Sequence, residues 1–198
     1  MTTPALAFGD VRIQDDFIPP ALHSELVRFF QEPIWFYGWK SNAGNKQAPN
    51  SHWNVFFAGN MSKSPAVDCE AELMENAFFQ PIQALWQLLK AGPLAGHIPV
   101  RIYANAHTYG TDGYVHTDSE DPNYYSTVVY LHPQWHPNWA GETVFFTQDK
   151  SDITRAVFPK PGRIVSFHGA VPHCARPLSR DCGALRVCLV FKTLLPAA

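Results

Sequence analysis

The feature that most constrains this chain is a change of texture at Ile98. Ahead of it, apolar residues recur mainly at helical spacing. Beyond it come short runs rich in β-branched and aromatic residues, at 100–104, 125–131, 143–146, 153–158, 163–167 and 185–193, separated by Gly, Pro, Asn and Asp. Helical segments followed by a series of short strands predict an α+β chain. Its second half is expected to be a double-stranded β-helix, or jelly roll, with the N-terminal helices packed on one sheet. At 198 residues with no repeat or linker, one domain spanning 1–198 is expected. Within it, 1–97 would supply helical support and a lid, and 98–193 the working core.

The N-terminal part divides further. Val11, Ile13 and Phe17 suggest a strand, and Leu22, Leu26, Phe29 and Phe30 form a helical stripe after Pro19-Pro20. Residues 34–39 read as a strand whose alternation sets Trp35, Tyr37 and Trp39 on one face, residues 41–50 as a polar loop, and 52–57 as a return to the sheet. Residues 67–91 carry the longest apolar helical pattern, with Leu73, Ile82, Leu85, Trp86 and Leu89 among its members. Pro81 is expected to open a second helix or kink the first.

Charge and cysteine usage exclude several classes. Fifteen Lys+Arg against 17 Asp+Glu leave a formal charge of -2, so no global field attracts nucleic acid or an anionic membrane. A small-molecule partner fits better. No apolar run approaches the roughly 20 residues of a membrane span, and residues 1–10 lack the basic start of an export signal, so a cytoplasmic location is expected. Cys69, Cys174, Cys182 and Cys188 form no CxxC pair, which argues against a zinc knuckle and for a reduced compartment.

The sharpest chemical signal is Tyr114-Val115-His116-Thr117-Asp118. In an extended segment His116 and Asp118 share a face and can meet one ion. His173 follows 55 residues after Asp118, just beyond the run at 163–167. Two histidines and one carboxylate on one face of an octahedron leave three positions open, the arrangement of non-haem Fe(II) oxygenases. By itself an HxD tripeptide is weak, and a polar loop would also explain it. His168 is a second candidate for the distal ligand, although Val171-Pro172-His173 is the better context.

The blocks around these residues extend the signal. Ile102-Tyr103 precedes a glycine-bearing loop, Gly113 opens the HxD segment, and Val128-Val129-Tyr130-Leu131 and Gly141-Glu142-Thr143-Val144-Phe145 follow. Then come residues 159–167, His173, and Arg186-Val187-Cys188-Leu189-Val190-Phe191. In order and approximate spacing, over residues 98–192, this resembles the prolyl 4-hydroxylase-like branch of the Fe(II)/2-oxoglutarate dioxygenase superfamily. The resemblance implies that His116, Asp118 and His173 hold Fe(II), that Arg186 and Tyr130 bind the distal carboxylate of 2-oxoglutarate, and that Tyr103 lines the co-substrate pocket. A guanidinium suits that role because its fork can hold a carboxylate through two charge-assisted hydrogen bonds. Arg186 lies 13 residues after His173, farther than in compact members, so the turn at 176–183 holds an insertion and Arg180 is a rival for the carboxylate.

The implied reaction consumes 2-oxoglutarate and O2, releases succinate and CO2, and hydroxylates an unactivated C-H bond. Related halogenases replace the carboxylate ligand with Gly or Ala, so Asp118 favours oxygenation. Candidate substrate contacts are Trp35, Tyr37, Trp39, His52, Trp53, Glu120 and Trp135, with core packing as the competing role for the aromatic rings. His107, His132 and His136 read as surface groups or as groups behind the site. A small metabolite, such as an amino acid or natural-product intermediate, is expected. A peptidyl-prolyl or other protein hydroxylase and a non-catalytic metal-binding barrel are the alternatives, and the oligomeric state is not legible.

Overall fold

The structure, a computed structural model, describes residues 6, 9–40, 51–59, 68–111 and 113–196. The expected loop at 41–50 lies outside them. Ten strands and three α-helices are present among the described residues: β1 Val11–Gln14, α1 Pro20–Phe29, β2 Phe36–Trp39, β3 His52–Gly59, α2 Cys69–Glu75, α3 Gln80–Lys90, β4 Ile98–His107, β5 Tyr124–Tyr130, β6 Thr143–Phe146, β7 Ile153–Val157, β8 Ile164–His168, β9 His173–Ala175 and β10 Arg186–Leu194.

The strands form two antiparallel sheets. Seven run in the order β1-β8-β5-β10-β4-β3-β2, and three in the order β7-β6-β9. Strand alternation gives the large sheet two different faces. On β10, Val187, Leu189 and Phe191 join Ile102, Ala104 and Ala106 of β4 in a core shared with the helices. The intervening Cys188 and Val190 pack with Tyr103, Val128, Tyr130, Phe145, Val165 and Phe167 on the opposite face, where β6 and β7 of the small sheet contribute. The functional cavity opens on that second face.

Local chemistry explains the helices. Pro20 and Pro81 occupy the first turns of α1 and α3, where a missing N–H costs nothing and the fixed φ favours the helix. Asp68 caps α2 by accepting from the amide of Ala71 at 3.0 Å. A 3-10 turn at Ala77–Phe79, capped by Asn76, separates α2 from α3, so of the two expected outcomes at Pro81 the structure shows a second helix opening there. Ile82, Leu85, Trp86 and Leu89 at i, i+3, i+4 and i+7 are fully buried, contributing roughly 2 kcal/mol each. Trp86 stacks on Phe191 at 5.8 Å, which fixes α3 to the middle of the large sheet.

Several boundaries differ from the sequence reading. β1 ends at Gln14, and Asp16 adopts a positive φ of 58°, so Phe17 is not part of the strand. β2 begins only at Phe36, and its pairing with β3 shifts register between Tyr37 and Trp39, where Gly38 sits at φ 117°. That bulge overturns the expected common face of Trp35, Tyr37 and Trp39. β9 escaped the sequence reading because three residues carry no periodicity.

Candidate active site

The HxD segment is not a regular strand. It is held extended by a bridge in which the amide of His116 donates to the carbonyl of His173 at 3.0 Å and the amide of His173 donates back at 2.9 Å. The amide of Asp118 is tied to Gly169 O at 2.7 Å. Two segments 55 residues apart are thereby fixed side by side. His116 Nε2 lies 3.7 Å from Asp118 Oδ1 and His173 Nε2 lies 3.5 Å from Asp118 Oδ2. One ligand atom from each residue falls within 4.8 Å of the others.

The donor set fits a divalent metal on grounds internal to the fold. His116 Nδ1 is 2.7 Å from Tyr114 O, and His173 Nδ1 is 2.9 Å from Val171 O. A carbonyl only accepts, so each Nδ1 must carry the proton and each Nε2 turns a lone pair toward the shared point. Burial pushes the pKa of His173 down to about 3, keeping it neutral as a ligand must be. Burial opposes ionisation of Asp118, but Lys192 and the two histidines outweigh it and hold its carboxyl well below the usual range. Asp118 Oδ2 also accepts from Ser126 Oγ at 2.6 Å and from Lys192 Nζ. His168, the rival ligand, instead places Nε2 on Pro122 O and does not line the cavity.

These three residues line a cavity of about 590 Å³ together with Tyr103, Thr143 and Arg186. Arg186 is 1 % exposed, and its guanidinium is positioned on three sides. Nε donates to Gly141 O at 2.5 Å, one terminal nitrogen donates to Thr143 Oγ1 at 2.9 Å, and the other contacts Cys188 Sγ at 3.1 Å. The turn that presents the Gly141 carbonyl has Ala140 and Gly141 both at positive φ. The 176–183 insertion packs behind it, with Leu178 bridging Ala140 and joining Cys182 against Trp135. Arg180 is exposed and does not line the cavity, whereas Arg186 does.

Tyr130 stands differently from the expectation. It is wholly buried, its hydroxyl is 2.6 Å from Thr143 Oγ1, and its ring lies 5.3 Å from the Arg186 guanidinium carbon. Burial, against the pull of Arg186, pushes its pKa up to about 12. The side chain therefore supports Arg186 and Thr143 from behind, and Thr143 is the hydroxyl that reaches the cavity.

Of the seven candidate substrate contacts, Trp39 alone lines the cavity. Trp35 packs on Phe30 and donates its indole N–H to the Phe30 carbonyl at 3.1 Å. Tyr37 is exposed and meets Trp53 at 5.0 Å, with Trp53 packed toward the helices. Glu120 is exposed, and Trp135 donates to Ala140 O at 2.9 Å. His52 is buried and stacks on His107 at 4.6 Å. His107 was expected at the surface or behind the site. It ends β4, lines the cavity, and is 3 % exposed, and burial sets its pKa well below the usual histidine value.

Sequence reading also missed Arg101, Asn105, Ser126 and Lys192. The signal was available in alternation: Arg101, Tyr103, Asn105 and His107 on β4, and Arg186, Cys188, Val190 and Lys192 on β10, all line the cavity. The apolar residues between them face the helices. A polar side chain at every second position of a strand with one apolar face marks a polar cavity.

Among the described residues, no helix is long and apolar enough to cross a membrane. No curated protein sequence matches the chain. Solved structures similar to it include a prolyl hydroxylase from Trichoplax adhaerens in complex with a hypoxia inducible factor oxygen degradation domain peptide fragment, at 14% identity and TM-score 0.62, covering 93% of this chain and 83% of that one. A Pseudomonas putida prolyl-4-hydroxylase aligns at 20% identity and TM-score 0.59, covering 94% and 92%. A viral collagen prolyl hydroxylase from Paramecium Bursaria Chlorella virus-1, in its 2OG complex, aligns at 14% identity and TM-score 0.57, covering 94% and 97%. Residues 104–191, which contain the triad and Arg186, match the family model of the 2OG-Fe(II) oxygenase superfamily. Over residues 104–191 the chain is thus similar to the 2OG-Fe(II) oxygenase superfamily, whose members are dioxygenases that use Fe(II), 2-oxoglutarate and O2.

Proposed function

We propose that this chain hydroxylates an unactivated C-H bond of a small molecule, an amino acid or natural-product intermediate, with release of succinate and CO2. One observation carries the reading: the His116, Asp118 and His173 ligand atoms and the Arg186 guanidinium line the same cavity. The two antiparallel sheets are read as a double-stranded β-helix, and 1–198 as one domain whose first 97 residues support it. Cys69, Cys174, Cys182 and Cys188 are buried and form no disulfide, which fits a reducing, cytoplasmic setting.

Iron held by the triad, with 2-oxoglutarate and O2, would supply the oxidising power. The chain's own task is placement. Asp118 fills a ligand position that would otherwise be open, and Ser126 fixes which way its carboxylate faces. Arg186, braced by Gly141, Thr143 and Tyr130, offers a rigid fork for the distal carboxylate of the co-substrate. Phe167 and Val190 are buried and line the wall beside the triad, excluding bulk water from it.

A peptidyl-prolyl hydroxylase is the second reading, favoured by the named activities of the structural relatives. The test has two parts. Anaerobic Fe(II) plus 2-oxoglutarate should give a weak visible charge-transfer band, and a screen of metabolites and prolyl peptides under air should show which class drives succinate release. No band and no succinate would leave a metal-binding barrel without catalysis.

A further inference from the structure

Lys192 places an ammonium inside the hydrogen-bond network of the triad. β10 alternates, so that Leu189 and Phe191 face the helices while Val190 and Lys192 line the cavity. Register sets Lys192 opposite Ser126 on β5 and opposite Arg101 on β4, and the ladder to β4 shifts directly after it. The Lys192 side chain is 3 % exposed. Its Nζ donates to Asp118 Oδ2 and, at 2.9 Å, to Ser126 Oγ, while Ser126 Oγ donates to the same Asp118 oxygen at 2.6 Å. A cation and a hydroxyl thus converge on one oxygen of a metal ligand.

The two partners act differently. Ser126 brings a hydrogen bond without charge, which fixes where the carboxylate points. Lys192 adds a full positive charge, and that charge cancels the anion of the triad: two neutral imidazoles, a carboxylate and an ammonium sum to zero. The ammonium and the carboxylate are both almost wholly buried, so little water screens the ammonium from a metal that Asp118 holds. Coulomb repulsion grows in proportion to the charge on the metal, so a trivalent ion is opposed about half as much again as a divalent one. Net charge at a metal is one of the levers that set its reduction potential.

We infer that Lys192 is a positioning residue that keeps bound iron ferrous, acting through Asp118 by fixing a positive charge on that ligand. Ferrous iron is the form the proposed reaction needs, and oxidation to the ferric form would idle the site. The inference rests on the proposed oxygenase reading and assigns the regulation of its metal to a residue outside the triad.

The test uses the full chain, titrated with Mn(II) by calorimetry and then loaded with iron under anaerobic conditions for a midpoint-potential measurement. Lys192→Met and Lys192→Gln both remove the charge, the first keeping the length of the side chain and the second keeping a donor for Asp118. Either variant alone is enough for the test. In each, the affinity for ferric relative to ferrous iron should rise at least tenfold, a fall in midpoint of about 59 mV or more for one electron. Ser126→Ala loses a hydrogen bond to the same oxygen but no charge, so it should weaken Mn(II) binding and leave that ratio within twofold of the wild type. A side chain that only packs would not move the potential. An unchanged ratio in the Lys192 variants, or an equal rise in Ser126→Ala, would overturn the inference while leaving the metal reading intact. A wild-type chain that binds neither Mn(II) nor iron would overturn the metal reading and this inference together.

Discussion

Ser126 Oγ donates to Asp118 Oδ2 at 2.6 Å, and through that bond β5 decides how the carboxylate faces His116 and His173. A carboxylate with a free torsion spends part of its time turned away from the metal, so the partner that locks it contributes to affinity. Ser126→Ala should weaken Mn(II) or Fe(II) binding by about tenfold, the usual size of such an effect. Metal titration followed by calorimetry would check it. His116→Ala and Asp118→Ala should abolish tight binding altogether, and retained affinity in either would remove the triad from the metal.

Arg186 offers a second test, because its position depends on a backbone turn. A Cβ on Gly141 would come within 2.5 Å of Leu178 Cδ2 and 3.1 Å of Arg186 Cδ, at a φ of +81° that a side chain rarely adopts. Gly141→Ala should therefore cost about 2 kcal/mol of stability. It should also weaken 2-oxoglutarate binding, because the carbonyl that holds Arg186 Nε must move. Arg186→Ala should raise the 2-oxoglutarate Kd by more than tenfold, as expected when a charge-assisted pair is removed. Arg180→Ala, on an exposed turn, should leave it unchanged. The reverse ranking would transfer the anchor to Arg180.

The residues bearing the strongest chemistry were legible because their types are few and their order is constrained. HxD and the later histidine needed only a bridge between two segments, which the fold supplies. The substrate wall was not legible in the same way. Trp35, Tyr37 and Trp39 alternate perfectly in sequence, yet one glycine bulge at Gly38 sends Trp39 to the cavity and leaves Tyr37 against Trp53. Tyr130 was matched to a binding role by position. Its hydroxyl is one hydrogen bond removed from the cavity, a distinction that only the side-chain geometry of Thr143 reveals.

Helix docking shows the same division between pattern and placement. The 3.6-residue stripe foretold that Trp86 is buried, but not that its partner would be Phe191 on the strand that carries Arg186 and Lys192. Trp86→Ala should cost about 3–5 kcal/mol by opening a cavity under β10. A denaturant midpoint measured with and without 2-oxoglutarate would show whether ligand binding recovers part of that loss, as it should when the strand beneath the site is loosened.

Acid should unfold the chain earlier than its carboxylates alone would require. His52 and His132 are buried and His97 is half-buried, and burial, the largest influence on each, pulls the pKa from 6.5 down to about 4. The folded form therefore takes up these protons later than the unfolded form does. Their neutral burial is fully compatible with folding above pH 6.5, and the resulting stability is lost as pH falls from 6.5 toward 4. Each complete loss is of the order of 3 kcal/mol. Asp118, held well below the ordinary carboxylate range, contributes stability that disappears only at lower pH, so it does not act in this window. Thermal melts of the metal-free chain should show the midpoint dropping steeply between pH 6.5 and 4. His132→Gln, which keeps a donor for Pro159 O without a titrating ring, should flatten that slope. A midpoint that stays level to pH 4 would mean that these rings gain enough water, or enough partners, to charge without unfolding the protein.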